Sequence, residues 1–305
     1  MRHLRKPPPL RPPALIGVPA PASPVRKEFV ERGVSALERL GFRVRLGKKL
    51  YARWRYTAGS PEDRLGDWID LWEDPEVSAL FCARGGYGSI ELLPELPPEL
   101  LRENPKVVLG SSDVTALHAF LAREVGLVSF HGPMVAQQIA REAYDSQQLL
   151  ELLGSVDPPG RLAADATELL HRGTAEGMLL GGCLSIVAAL AGTPYLPSFR
   201  GSILFLEDTQ VKPFQIDRML SQLRLAGLLE GVRGIVFGEM TDCEQHPQQG
   251  YSMQELLRDW TAPLRVPVLF GFPSGHTRGG SLTLPLGIRC RLDDDGLTLL
   301  EGAVA

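Results

Sequence analysis

The chain has 305 residues, of which 44% are hydrophobic and 22% charged, and its formal net charge is −4. This composition is typical of a water-soluble protein with a substantial core, and the length is enough for two domains of ordinary size. Basic residues are scattered among acidic ones and no apolar run approaches about 18 residues, which excludes a typical nucleic-acid binder and a membrane-spanning helix.

The N-terminal segment and the cysteines bear on the compartment. Residues 1–24 are basic and rich in proline, and the prolines interrupt the apolar core that a secretory signal peptide needs. We therefore expect a loose tail before the first strand. The cysteines lie far apart with no C-x-x-C pair, which argues against a zinc cluster or a disulfide framework and indicates a reducing, cytoplasmic location. They are Cys82, Cys183, Cys243 and Cys290.

Short apolar runs alternate with helical patterns from residue 14 to residue 135. The helix that begins near Ser60 has the clearest start, with a serine N-cap, Pro61 in the first turn and acidic residues after it. Such an alternation predicts a parallel sheet with helices on both faces. The predicted strands are 14–18, 42–46, 77–83 and 107–110, and the predicted helices are 25–40, 60–72, 89–93 and 115–124.

The pattern changes after residue 136. Residues 137–153 are predicted to form a helix with one polar face, and 154–170 a linker or sheet edge. Alternation from 282 to 300 predicts antiparallel strands with a hairpin at Asp293–Gly296. Between them the predicted elements are strands 174–180, 202–206 and 234–237 and helices 184–191 and 213–226. We expect an N-terminal domain over 1–136, a linker region over 137–172 and a β-rich domain over 173–305.

Two serines and an aspartate follow the apolar strand at 107–110. A serine on a turn there would lie at the carboxyl edge of the sheet, where doubly wound folds bind ligands and where backbone N–H groups can stabilise an anion. A helix cap explains the same residues, because Ser111, Ser112 and Asp113 are all favoured at N-caps. The G-x-S-x-G pattern of lipases also fails at Val114. On its own, this motif favours a cap over a nucleophile.

The glycine-rich segment Arg84–Gly88 follows another apolar strand. Its three glycines allow positive φ and a close approach of the backbone to a ligand. The spacings of the Walker and G-x-G-x-x-G phosphate motifs are absent. Two interpretations remain open, one N–H of an oxyanion hole or a tight strand-to-helix turn.

A nucleophilic serine needs a base, and six histidines are available. His276 lies in a loop bracketed by glycines, the kind of segment in which catalytic side chains concentrate. The buried strand 202–206 runs into Glu207 and Asp208, which could orient such a base or simply end the strand. The other histidines are expected to be structural or exposed, namely His3, His118, His131, His171 and His246.

A metal site is not expected. One polar cluster contains several ligand types, but its spacing matches no standard ligand pattern. Its members are Glu239, Asp242, Cys243, Glu244 and His246.

Together these segments resemble the LD-carboxypeptidases, serine peptidases that trim peptidoglycan tetrapeptides, a family that also contains the microcin C self-immunity proteins. The segments that carry the resemblance occur in the family's order at 57–96, 107–121, 129–134, 177–197, 203–227 and 270–287. The resemblance implies an α/β fold with a flavodoxin-like parallel sheet in the N-terminal domain and a β-rich α+β C-terminal domain. It also implies a homodimer, a site between the domains and no cofactor.

The resemblance further implies a Ser-His-Glu triad of Ser112, His276 and Glu207. The oxyanion hole would use the N–H of Asp113 and that of Gly86, with Gly85 as the alternative. The expected reaction releases terminal D-alanine from murein tetrapeptides, and the alternative is a microcin C-type immunity amidase that cleaves peptidyl- or aminoacyl-nucleotide conjugates.

Three further residues bear on the substrate. Arg84 is a candidate for binding the terminal carboxylate, from its proximity alone. Cys183 departs from the family, which often has asparagine at that position. Tyr87 completes an R-G-G-Y-G form that is closer to the murein-trimming members than to the immunity proteins.

Overall fold

The computed structural model of the protein describes residues 3–162, 164, 167–244 and 250–305. Within these ranges the chain forms two sheets with helices packed against them. The strands are β1 Leu15–Val18, β2 Arg43–Leu46, β3 Val77–Phe81, β4 Val107–Gly110, β5 Ser129–His131, β6 Gly160–Arg161, β7 Glu168–His171, β8 Ala175–Cys183, β9 Ser202–Glu207, β10 Gly234–Gly238, β11 Val268–Phe272, β12 Leu284–Leu286, β13 Arg289–Asp293 and β14 Gly296–Leu299. The helices are α1 Lys27–Arg39, α2 Pro61–Glu73, α3 Pro98–Glu103, α4 Thr115–Phe120, α5 Ser146–Gly154, α6 Leu184–Ala189, α7 Pro213–Leu225 and α8 Met253–Thr261.

The first sheet has the strand order β2-β1-β3-β4-β5-β12, and all its strands are parallel except β12. The order 2-1-3-4-5 is that of flavodoxin-like folds, so the predicted parallel sheet is confirmed. β1 and β4 are apolar at nearly every position and fully buried, as strands covered on both faces must be. The carboxyl ends of β3 and β4 therefore lie side by side, followed by the glycine-rich segment and the two serines respectively.

The second sheet has the order β6-β14-β13-β8-β9-β10-β11-β7. Its four central strands, β8 to β11, are parallel, and antiparallel strands flank them on both sides. The predicted hairpin is present, since Asp293 pairs with Gly296. Glu207 is the last residue of the buried central strand β9.

Two expectations about the elements after residue 136 were wrong. A single helix does not run from 137 to 153, because Glu142 adopts a left-handed conformation with φ of 53° and Asp145 starts a new helix by accepting the N–H of Gln148. The apolar run predicted as one strand from residue 282 is divided, so that β12 joins the first sheet and β13 the second.

The N-terminal segment is also packed rather than loose. The N–H of Leu10 donates to the carbonyl of Leu153, and the side chain of Leu10 is buried. Ala305 donates to the carbonyl of Pro7, and Lys6 forms an ion pair with Glu301 at 2.8 Å. The described start of the chain therefore packs against its C-terminal residues. No helix among the described residues combines the length and the apolar character that crossing a membrane requires.

Candidate active site

The turn after β4 holds Ser112 in an unusual backbone conformation. Ser112 has φ of 59°, in the left-handed region that residues other than glycine rarely adopt, and it begins a short 3-10 turn that leads into α4. Neither serine caps α4, because the N-cap of that helix is Val114, and Ser111, at the start of the 3-10 turn, makes no side-chain capping bond. The carboxylate of Asp113 instead accepts the N–H of Ser89 at 2.8 Å. The capping interpretation is therefore wrong, and Ser112 is left half-buried at the edge of the sheet.

The glycine-rich segment lies directly against Ser112. A Cβ atom placed on Gly85 would be 2.9 Å from Ser112 Cβ and 3.1 Å from its Oγ, and 3.4 Å from the backbone nitrogen of Asp113. Because Gly85 has no side chain, the space beside Ser112 Oγ stays open to a ligand atom. The next residue, Gly86, has φ of 112°, and a Cβ there would collide with Ser23. The close packing explains two of the glycines in this segment.

A buried arginine holds this segment in place. Arg64 on α2 donates from Nη1 to the carbonyls of Pro21 and Gly88, at 2.8 and 2.7 Å, and forms an ion pair with Glu91. The guanidinium of Arg84 donates from Nη1 to the carbonyl of Pro24 at 3.0 Å. Both arginines therefore tie together the loops that follow the first and third strands.

Glu207 and His276 form a close pair at the end of β9. Glu207 is fully buried, and its Oε2 accepts the Nδ1–H of His276 at 2.8 Å and the backbone N–H of the same residue at 3.1 Å. Glycines make room for the carboxylate, since a Cβ at Gly238 or Gly275 would lie 2.5 Å from an atom of Glu207. With Nδ1 as the donor, the neutral imidazole keeps a free lone pair on Nε2, which is the atom a general base uses.

The two groups shift each other's ionisation. Burial opposes the charged form of Glu207, but the charge and hydrogen bond of His276, together with the nearby His131, outweigh it and lower the pKa of the carboxyl. Burial also opposes the imidazolium of His276, but the charge of Glu207 and its hydrogen bond outweigh that effect and raise the pKa of His276 above its ordinary value. The carboxylate is thus ionised at neutral pH and stabilises a proton on the imidazole.

A second histidine contacts the same carboxylate. His131, the last residue of β5, is completely buried, and its Nε2 lies 3.5 Å from Glu207 Oε1. Its Nδ1 lies 3.4 Å from the Oγ of Ser274. Its place in the sequence predicted only a structural role for His131. One signal could have identified it. Like Ser112 and Glu207, His131 is a polar residue at the carboxyl end of a buried strand.

Contacts within and between the two halves of the fold bring the predicted residues into one neighbourhood. Gly110, two residues before Ser112, pairs with His131 in the ladder between β4 and β5. Cys183, at the departure from the family pattern, pairs with Glu207 between β8 and β9, and its N–H donates to Thr115 Oγ1 at 2.9 Å. Within the described residues no hydrogen bond joins Ser112 Oγ to His276.

The remaining histidines play other parts. His118 is buried between the hydroxyl of Ser129 and the carbonyl of Gly110, each 2.9 Å away, and burial lowers its pKa to about 3, so it stays neutral. His171 lies 2.9 Å from the carbonyl of Arg258. His246, from the cluster judged unsuited to a metal, falls outside the described residues.

Comparisons with known proteins identify the two halves. Residues 16–132 match the model of the LD-carboxypeptidase N-terminal domain, and residues 176–292 match that of the LD-carboxypeptidase C-terminal domain. The murein tetrapeptide carboxypeptidase of Pseudomonas aeruginosa is 33% identical over 84% of this chain and 86% of its own.

Solved structures agree with the sequence matches. The muramoyltetrapeptide carboxypeptidase from Oxalobacter formigenes has a TM-score of 0.83 and 29% identity, covering 95% of this chain and all of its own. The microcin C7 self-immunity protein MccF, in its inactive mutant apo state, has a TM-score of 0.89 and 26% identity over 98% of this chain and 99% of its own. MccF of Escherichia coli is 28% identical over 90% of this chain and 88% of its own length. With both halves matched and these relatives aligned almost end to end, the chain belongs to the LD-carboxypeptidase family of peptidases.

Proposed function

We propose that this protein is a serine LD-carboxypeptidase that removes terminal D-alanine from murein tetrapeptides, with Ser112, His276 and Glu207 as its triad. The observation that carries the proposal is the buried Glu207–His276 pair, held by a bond of 2.8 Å. It shares a neighbourhood with a serine whose left-handed turn leaves its side chain free of any helix cap. A peptidase needs a nucleophile and an oriented base, and these residues supply both.

In the proposed reaction His276 Nε2 takes the proton of Ser112 as Oγ attacks the carbonyl carbon of the L-centre before the terminal D-alanine. The C–N bond then breaks, and the imidazolium returns the proton to the leaving amine of D-alanine. Water attacks the acyl-enzyme with His276 again as base, which releases the shortened peptide and restores the serine. Glu207 stays ionised throughout and stabilises the transient imidazolium.

The oxyanion is assigned to the N–H groups of Asp113 and Gly86. The carbonyl of Gly85 accepts the N–H of Ser23 at 3.3 Å, and in a trans peptide the N–H of Gly86 points the opposite way, away from Ser23. Within the described residues that N–H has no acceptor, so it is available to a ligand. The backbone nitrogen of Asp113 lies on the same side of Gly85 as Ser112. Two converging donors of this kind are what a tetrahedral intermediate requires.

The proposal extends to organisation and location. Residues 1–136 would form the domain that carries the nucleophile and 173–305 the domain that carries the glutamate and histidine, joined by 137–172. The family matches over 16–132 and 176–292 support this division. The protein would act as a cytoplasmic homodimer, which sedimentation and cell fractionation would test.

A second candidate function is cleavage of aminoacyl- or peptidyl-nucleotide conjugates. It is favoured by the likeness to MccF, whose structure aligns with 98% of this chain. The murein substrate is favoured by the higher sequence identity to the Pseudomonas enzyme.

Parallel incubations distinguish the two substrates. The protein is given L-Ala-γ-D-Glu-meso-diaminopimelyl-D-Ala in one reaction and an aminoacyl sulfamoyl adenosine in the other, and products are followed by mass. Release of D-alanine with a tripeptide product supports the proposal. Cleavage of the nucleotide conjugate alone, with an intact tetrapeptide, would replace it by the second candidate.

A further inference from the structure

We propose that His131 is a positioning residue for the triad, donating its Nε2–H to Glu207 Oε1 and thereby fixing the plane of the carboxylate that orients His276. This role rests on the proposed triad and adds to it a histidine that the residue pattern alone predicts to be structural. It also means that a residue of the first sheet contacts Glu207, which ends a strand of the second sheet.

Glu207 Oε1 and His131 Nε2 are the only evident partners for each other among the described residues. Glu207 Oε1 and His131 Nε2 are both buried, and among the described residues neither atom meets hydrogen-bond geometry with any partner. They lie 3.5 Å apart. A buried carboxylate oxygen without a donor costs free energy, so the nearest donor is expected to approach it. Catalytic hydrogen bonds are often long without substrate and shorten in the reacting complex.

The other ring nitrogen sets the tautomer. His131 Nδ1 lies 3.4 Å from Ser274 Oγ, whose hydroxyl can donate to it. A neutral imidazole that accepts at Nδ1 carries its proton on Nε2, the atom that faces Glu207. Each carboxylate oxygen then has its own histidine donor, Oε2 with His276 and Oε1 with His131. Two donors in different directions prevent rotation of the carboxylate about its Cγ–Cδ bond.

The location of His131 gives the contact a further role. It pairs with Gly110, two residues before Ser112, in the ladder of the first sheet. Its ring packs edge-on against Phe205 of β9, with centroids 5.2 Å apart. A single side chain thus relates the strand that leads to the nucleophile, the strand that ends in Glu207 and the loop that carries His276. Displacing it would shift the base relative to the nucleophile.

Other ionisable groups face this centre and must be considered in any pH measurement. Asp208, Cys183 and Cys243 interact electrostatically with Glu207, and His118 faces His131 with ring centroids 6.2 Å apart. Burial raises the pKa of both thiols. Burial lowers the pKa of the His118 imidazole to about 3. These three groups therefore stay neutral between about pH 5 and 9.

Two substitutions of His131 separate positioning from packing. In H131Q the amide nitrogen can reach Glu207 as Nε2 does, whereas the shorter side chain of H131N reaches only toward Ser274. We expect H131N to lose on the order of 100-fold in kcat with little change in KM, and H131Q to stay within about tenfold of the wild type. The acidic limb of kcat/KM should move to higher pH in H131N, because Glu207 without its second donor holds the proton of His276 more strongly.

A fluorophosphonate probe gives a readout that does not depend on the natural substrate. Its rate of attachment to Ser112, followed by intact mass, should fall in H131N as kcat does, and S112A should not be labelled. If the wild type is labelled but does not release D-alanine, the murein proposal fails while the inference on His131 is still tested. The inference would be overturned if folded H131N were labelled as fast as the wild type and kept the acidic limb of kcat/KM at the wild-type pH. A folded H131Q whose kcat falls as far as that of H131N would also overturn it. If H131N does not fold, a fall of about 100-fold in the kcat of folded H131Q would do the same.

Discussion

His276 donates both its backbone N–H and its imidazole Nδ1–H to a single oxygen of Glu207, at 3.1 and 2.8 Å. The two bonds come from one residue, so they fix the ring and the loop that carries it together. Because Glu207 is buried, its charge acts on the imidazole with little screening by water. The pair therefore determines which nitrogen is the base and where it points.

Replacing Glu207 by Gln should remove that control. The amide is neutral and cannot stabilise an imidazolium, so we expect kcat to fall by about 10⁴-fold, as for the loss of the acidic member in a comparable triad. The measurement is D-alanine release, with circular dichroism to verify folding. D208N is the matched control, since Asp208 accepts the N–H groups of Ser185 and Thr209 and does not touch His276. Equal losses in both variants would contradict the assignment of Glu207.

The two adjacent serines provide an internal comparison. Ser112→Ala should abolish turnover, because it removes the hydroxyl proposed to attack the substrate carbonyl. Ser111→Ala should leave activity close to that of the wild type, because Ser111 Oγ is buried and has no hydrogen-bond partner among the described residues. Steady-state rates and the mass of the acyl-enzyme distinguish the two. An inactive S111A beside an active S112A would mean that the nucleophile is the other serine.

The glycine against the nucleophile should tolerate no side chain. In Gly85→Ala the new methyl group would lie 2.9 Å from Ser112 Cβ and occupy the space beside Oγ. We expect a fall in kcat/KM of about 100-fold with a smaller change in stability. Gly66→Ala is the control, because nothing lies within 4 Å of a Cβ there and the position is inside α2. It should raise the free energy of unfolding by up to about 1 kcal/mol and leave activity unchanged.

The pH dependence of kcat/KM should report His276. The base must be neutral to accept a proton, so activity falls as pH decreases through its pKa, which lies above the ordinary 6.5. The raised pKa also contributes to the stability of the folded state. The contribution is complete when the pH is below the pKa of this histidine in the unfolded chain, and it is lost as the pH rises through the pKa in the folded state. Rates measured from about pH 5 to 9 locate the limb. In E207Q the limb should move to lower pH, and a limb that stays in place would exclude Glu207 as the cause.

Local signals in the sequence predicted much of the first sheet. The helix start at Ser60 follows from side-chain chemistry within four residues, and the structure has the capping box there, with Asp63 completing it. The left-handed turn at Glu142 and strand β12 were missed because each depends on distant partners. Tyr144 bridges to Ser281, and Leu284 pairs with His131, contacts that no local pattern records.

The candidate site was predicted in a different way. Residue patterns alone left Ser112 as a helix cap and Glu207 as a strand end, and only the resemblance to a family joined them with His276. The structure has a hydrogen bond of 2.8 Å between Glu207 and His276, and the catalytic role of the three residues stays a prediction. His131 escaped it because its role depends on burial and on the one free oxygen of Glu207.

Strand β12 has a consequence for how such proteins can be recombined. Leu284–Leu286 comes from the far end of the chain, yet it covers β5, the strand that carries His131. A fragment that stopped at residue 136 would leave β5 as a bare edge, open to pairing with other chains and prone to aggregate. The halves are therefore not interchangeable modules, and a chimera of two relatives should fold well only when β5 and β12 come from the same parent.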